Sequence, residues 1–274
     1  MNQTLQLGPM TFPFTLLLAL AALALGFKAG SWMGRQASID VEPLLWRIVL
    51  VGAVAARLVF VVQFKDAYLN APLDILDIRD GGWSPLAGFF VAAVYAIAAG
   101  RRLAVRREAL AMALGTGALV WTLGTIALSA TEGGEERLPA LRLLSFDGRT
   151  VTLTDFQGKP TVVNLWATWC PPCRREMPVL QQAQADRPDV NFIFLNQGES
   201  ASQVQTFLSA HKLPLENVLL DPRGEAGAQF GHRALPTTLF FDTLGRMIDT
   251  RIGELSRATL NQRLAAIAPV APLH

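Results

Sequence analysis

The chain is 274 residues long, enough for two domains of ordinary size, and its 24 Lys+Arg nearly balance its 22 Asp+Glu. A net charge of +2 supplies no basic surface for a nucleic-acid partner, so nucleic-acid binding is set aside. Both cysteines lie together, at Cys170 and Cys173, which confines any thiol chemistry to one place. The composition is divided: residues 1–131 are mostly apolar and lack His and Cys, whereas the remainder reads as an ordinary soluble domain.

In chain order, four apolar segments are expected, at residues 12–27, 44–64, 85–100 and 109–130. The first and third are short for a span of about 20 residues but can borrow polar flanks. The leader before the first segment is uncharged and more spans follow, so it is not expected to be a cleaved signal peptide. Orientation is read from the basic cluster Arg101, Arg102, Arg106 and Arg107, whose loop should be cytoplasmic. Counting outward puts Lys28 and Arg35 inside, the N-terminus and the 65–83 loop outside, and everything after the fourth span on the outer face. Arg57 falls well inside the second segment, where a charged side chain is either functional or internally paired. Arg47, near the start of that segment, fits a snorkelling side chain.

Ala56-Arg57-Leu58, Tyr68-Leu69, Pro72-Leu73, residues 75–78 and Asp80-Gly81-Gly82-Trp83-Ser84 with Gly88 resemble the early part of prolipoprotein diacylglyceryl transferase. The resemblance covers residues 10–100 and makes Arg57, Gly81 and Gly82 candidates for a membrane-domain site. Leu86 stands where that family carries an essential histidine, which implies a related scaffold without transferase activity. Bound membrane lipid is the partner this half would retain. Without cysteine or histidine, residues 1–131 hold neither a thiol relay nor haem ligands, so they are assigned to anchoring.

Residues 132–139 are small, charged and glycine-containing, as in a short tether between a membrane domain at 1–131 and a second domain at 140–274. Runs at 141–145 and 150–153 flank Phe146-Asp147-Gly148-Arg149 and predict a hairpin. A buried strand is expected at 161–167, a helix at 174–185, a strand at 190–196 and an amphipathic helix at 201–211. A strand at 217–220, a short helix at 226–230, a strand pair at 237–242 and 247–252, and a helix at 257–267 complete the pattern.

Between the first of those strands and its helix lies Trp169-Cys170-Pro171-Pro172-Cys173. At a strand-to-helix junction, free backbone N–H groups and the helix dipole favour a thiolate, which makes Cys170 the nucleophile and Cys173 the resolving thiol. Pro171 and Pro172 suit a first turn because they lack donors that would find no partner there. A zinc site needs about four ligands, and His211, His232 and His274 are not at ligand spacing. A purely structural disulfide across so short a loop would constrain the unfolded chain little. Redox exchange remains, with no cofactor beyond the disulfide itself.

The run from Asn164 through Trp169-Cys170-Pro171-Pro172-Cys173-Arg174-Arg175-Glu176-Met177-Pro178, with Leu235-Pro236-Thr237 downstream, is similar to the TlpA/ResA/DsbE branch of membrane-tethered thioredoxin-like proteins. That resemblance, over residues 137–270, implies a fold in which an α-helical membrane domain of four spans precedes an α/β thioredoxin-like domain. Pro236 matches the cis-proline whose loop lies against the dithiol, with Leu235 left to pair with a substrate strand. Glu176 matches the branch's helix glutamate, with a role in thiol tuning or proton transfer, and Asn164 replaces the buried Asp of ordinary thioredoxins. Trp169 is expected to pack and shield the site, and Thr237 to line it.

The implied activity is reduction of disulfides in extracytoplasmic (periplasmic) proteins, recharged by an external donor such as a membrane thiol reductase. The implied location is the bacterial inner membrane, multi-pass, with the thioredoxin-like domain in the periplasm. The alternatives are a thiol oxidant using the same residues, a transferase-related protein with a fused redox domain, and a non-catalytic anchor.

Overall fold

The computed structural model describes residues 4–7, 10–69, 72–77, 80–100, 104–130, 136–146, 148–232 and 234–268. Arg101 and Arg102 of the basic cluster, Ile78, residues 132–135 of the tether, the turn residue Asp147 and His274 lie outside the described residues. Two compact units divide the chain, one built on the first five helices and the other on the large sheet.

The uncharged leader forms an antiparallel pair, β1 (Thr4–Leu7) with β2 (Met10–Pro13), which its composition does not announce. The helices are α1 (Phe14–Gln36), α2 (Glu42–Gln63), α3 (Lys65–Leu69), α4 (Pro85–Gly100) and α5 (Ala104–Ala130). α1 continues nine residues beyond the expected apolar run, carrying Lys28 and Arg35 on the helix rather than in a loop. Polar side chains end the hydropathy signal there, but the buried glycine row Gly26, Gly30 and Gly34 carries the same face onward.

Among the described residues three helices are long and apolar enough to cross a bilayer: α1, α2 and Arg107–Ala130 of α5. α4 has 16 residues, and at about 1.5 Å per residue it reaches about 24 Å, short of a hydrocarbon core of about 30 Å. Many apolar side chains of this unit face outward, among them Leu50, Val62, Phe89, Phe90 and Ile126.

Helix pairing rests on small residues. α1 packs on α5, and α2 on α4. A Cβ added at Gly26 would sit 2.8 Å from the Ala113 carbonyl oxygen, and one at Gly88 would sit 2.8 Å from the Gly52 carbonyl oxygen and 2.9 Å from the Ala56 Cβ. Where lipid removes the hydrophobic drive between helices, such close backbone approach supplies the packing contacts.

The second unit is a seven-stranded mixed sheet in the order β4-β3-β7-β6-β5-β8-β9. Its strands are β3 (Arg142–Ser145), β4 (Thr150–Thr152), β5 (Thr161–Trp166), β6 (Asn191–Gln197), β7 (Val218–Asp221), β8 (Thr237–Phe241) and β9 (Met247–Ile252). Its helices are α6 (Pro171–Asp186), α7 (Ala201–Ala210), α8 (Glu225–Gln229) and α9 (Arg257–Ile267). β5 runs parallel to β6 and antiparallel to β8, and every one of its six residues is buried.

Alternate side chains along the central strands feed two cores. Val162, Phe192, Phe194 and Phe240 join Cys173, Met177, Leu180, Val204 and Leu264, so α6, α7 and α9 cover one face. Val163, Leu165, Ile193, Leu239 and Phe241 join Leu143, Leu153, Ala226 and Phe230 on the other. This two-sided burial is why the strands read as continuous apolar runs. The expected 141–153 hairpin forms, and β3 attaches it to the β7 edge, an attachment that local pattern does not contain.

Gly88→Val should drive α2 and α4 apart and lower the thermal midpoint of the helical unit, followed by circular dichroism in detergent. Gly115, which has nothing within 4 Å of an added Cβ, should accept alanine with no loss, and a gain of up to about 1 kcal/mol follows from helix propensity.

Candidate active site

β5 ends at Trp166, and four residues later Cys170 is the N-cap of α6. Pro171 and Pro172 have no N–H, so the first amide the helix offers is that of Cys173, and it donates to the Cys170 Sγ at 3.3 Å. The two cysteines are joined by a disulfide with a Cα–Cα distance of 5.3 Å across this first turn. Cys170 is 3 % exposed and Cys173 is fully buried.

Trp169, expected to pack, is 67 % exposed; the interior place at the end of β5 is taken by Trp166, which is fully buried. Pro171 is exposed and Pro172 half-buried.

One helical turn beyond Cys173, Glu176 is completely buried. Asn164 Nδ2 donates to its Oε1 at 2.8 Å, and the Leu255 N–H donates to its Oε2 at 3.0 Å. Asn164 faces Thr238 across the β5–β8 ladder and donates to its Oγ1 at 3.0 Å as well. Loss of water dominates, with a smaller push from Glu254, and outweighs the hydrogen bonds and the attraction of Arg251; the Glu176 carboxyl is raised to about 8. Above this buried pair, on the surface, Arg175 and Glu254 form a bidentate ion pair with contacts of 2.6 and 3.2 Å.

The Leu235–Pro236 peptide bond is cis. Leu235 is half-buried and packs against the cluster that holds both cysteines. Among the described residues its backbone N–H and C=O make no hydrogen bond. Thr237 is buried and donates its hydroxyl to the Ala234 carbonyl at 2.7 Å. Cys170, Cys173, Glu176, Leu235, Pro236 and Thr237 thus belong to one region of one unit. Upstream of Pro236, His232 is buried, and burial holds its ring below the usual imidazole range.

A second carboxylate was not singled out in the sequence. Glu199, 7 % exposed, accepts the Thr168 N–H at 2.8 Å, the Thr168 hydroxyl, and Asn196 Nδ2 at 2.7 Å. The available signal was an acidic residue in the turn directly after a buried strand, which is too common to be diagnostic.

In the helical unit Arg57 is buried and internally paired. Its Nε donates to the Ile75 carbonyl at 3.1 Å, its Nη1 to the Gly82 carbonyl at 2.7 Å, and its guanidinium lies 5.6 Å over the Tyr68 ring. Gly82 is confined by that contact, since an added Cβ would come within 2.7 Å of Arg57 Nη1, and Gly81 has φ +70°. Leu86 is 85 % exposed.

Comparison with known proteins finds two family models on different parts of the chain. The Redoxin family model matches residues 134–264. Thioredoxin-like protein YneN of Bacillus subtilis is 31 % identical over 133 residues, covering 47 % of this chain and 77 % of its own. The chain belongs to the thioredoxin-like thiol-disulfide oxidoreductases. Within that family, ResA of Geobacillus thermodenitrificans is 30 % identical, covering 48 % of this chain and 76 % of its own. Thiol:disulfide interchange protein DsbE of Pseudomonas fluorescens is 33 % identical over 129 residues, covering 47 % of this chain and 71 % of its own. A separate family model, prolipoprotein diacylglyceryl transferase, matches residues 3–127.

The raised Glu176 carboxyl carries a stability consequence of definite sign. Between the ordinary value of 4.5 and about 8 the folded chain holds a proton that the unfolded chain has released, so folding stability falls as pH rises through that window, by up to about 1.4 kcal/mol per pH unit. Chemical denaturation at stepped pH should show this slope in the native chain and a flatter one in Glu176→Gln.

Proposed function

We propose that this protein is a membrane-anchored reductant of extracytoplasmic protein disulfides. The observation that carries the redox reading is the Cys170–Cys173 disulfide closed across the first turn of α6 and set in one region with a buried, proton-holding Glu176 and the cis Leu235–Pro236 loop. In the reduced protein the Cys170 thiolate, favoured by the Cys173 N–H and the helix dipole, attacks one sulfur of a partner disulfide and expels the other as a thiolate. Cys173 then gives up its proton and attacks the Cys170 sulfur of the mixed disulfide. The second partner thiolate leaves, two electrons have moved to the partner, and the protein holds its disulfide again. Glu176 is the proton carrier for this step, because a carboxyl held near 8 both releases and accepts protons around neutral pH. Leu235, whose backbone makes no hydrogen bond among the described residues, is the place for an extended partner segment. No cofactor beyond the disulfide enters this scheme, and an external thiol donor restores the dithiol.

Anchoring is supported by three helices of spanning length and by the apolar side chains that the helical unit turns outward. We assign α4 as a fourth, short span, with the basic segment before α5 in the cytoplasm and the thioredoxin-like unit in the periplasm of a bacterial inner membrane. The family match over residues 3–127 favours a second role for this half, retention of a lipid. Leu86 at the place of the expected histidine and the internal pairing of Arg57 speak for a scaffold without diacylglyceryl transfer. A diacylglyceryl-transfer assay on a prolipoprotein peptide should therefore give no product.

The direct test is covalent. Cys173→Ser in membranes should accumulate mixed disulfides between Cys170 and extracytoplasmic proteins, and Cys170→Ala should accumulate none. Absence of any trapped partner while Cys170 stays open to alkylation would overturn the redox reading.

A further inference from the structure

Glu199 is tied to the redox turn through a single peptide group. The Thr168 N–H donates to Glu199 Oε2 at 2.8 Å, and the carbonyl of the same peptide unit, on Ala167, accepts from the Cys170 N–H at 3.2 Å. The Thr168 hydroxyl and Asn196 Nδ2 complete the carboxylate's partners, and the group is 93 % removed from solvent by its 7 % exposure. A charge-bearing acceptor in such surroundings polarises the peptide it binds, and hydrogen bonds in series reinforce one another. The turn before Cys170 is thereby held to the end of β6, by a contact independent of Glu176.

We infer that Glu199 is a positioning and charge-setting residue for Cys170: it locks the turn before the nucleophile and opposes thiolate formation at its sulfur. The physical argument is one of sign. The Cys173 amide and the helix N-terminus favour the Cys170 thiolate, whereas a buried carboxylate linked to the Cys170 amide through the 167–168 peptide disfavours it with little water to screen the field. Disfavouring the thiolate stabilises the disulfide relative to the dithiol, so Glu199 makes the pair a stronger reductant. This inference rests on the redox reading above, and it assigns Glu199 no contact with substrate.

The test titrates a single thiol. In the full chain carrying Cys173→Ser, Cys170 is the sole cysteine, and its alkylation rate by iodoacetamide against pH reports its pKa. Adding Glu199→Gln should lower that pKa by about one unit. Adding Thr168→Val, which removes the hydroxyl donor and leaves the carboxylate less compensated, should move it the opposite way. Loosening of the turn alone would not produce opposite shifts. In chains with both cysteines, Glu199→Gln should move the equilibrium with glutathione up to about tenfold toward the dithiol, about 30 mV. An unchanged or raised Cys170 pKa in Glu199→Gln overturns the inference, and so does a Thr168→Val shift that is absent or downward, which decides the matter if the glutamine variant does not fold. Partner trapping by Cys173→Ser with Glu199 intact separates this outcome from failure of the redox reading itself.

Discussion

Glu176 has given up water entirely, and its two replacement hydrogen bonds come from different parts of the sheet domain: Asn164 of β5 and the Leu255 amide just before α9. Asn164 in turn reaches Thr238 of β8. One carboxyl therefore joins the active-site helix to two central strands and the last helix. The same desolvation that makes the site costly to ionise lets it keep a proton near neutral pH, a property no exposed helix glutamate has. Structure and chemistry meet at this group because the interior offers it two donors and no solvent.

The dithiol is placed by an equally local constraint. β5 is covered on both faces, so its continuation must leave the sheet before the chain can turn into α6. The two prolines strip the first turn of competing amides, and the Cys173 N–H is left to face the Cys170 sulfur. Cys170 thus sits between opposing electrostatic influences. The helix terminus favours its thiolate, while Glu199, bound through the 167–168 peptide, stands on the other side of the balance.

The helical unit follows a different pattern from the sheet domain. Its outward faces are apolar, and glycine and alanine bring its helices into close backbone approach beside a cluster of Val41, Leu45, Ile48 and Leu110. Arg57 lies well within α2, and it is satisfied by backbone carbonyls and the Tyr68 ring. Its pairing stabilises the loop after α3, which is a sufficient physical reason for its presence.

Much of this was legible in the amino-acid sequence. Short continuous apolar runs bounded by glycine, proline and polar turns define the central strands of the sheet domain, because burial on both faces leaves no polar alternation, and 3.6-residue periodicity defines its helices. The Cys-Pro-Pro-Cys spacing determines which atoms exchange electrons, since two thiols one turn apart at a helix start can close on each other. Helix ends in the apolar half were less legible: α1 extends past its hydropathy signal, and α4 is too short to settle its span by composition. What only the tertiary structure decided is which polar side chains lose water and whom they meet. Glu176 is marked in sequence only by a family resemblance and Glu199 by nothing; Asn164 lies 12 positions from one, and Thr168 lies 31 from the other. Contacts at such separations are set by strand order and helix docking, so the electrostatic character of the dithiol appears only once the sheet has assembled around it.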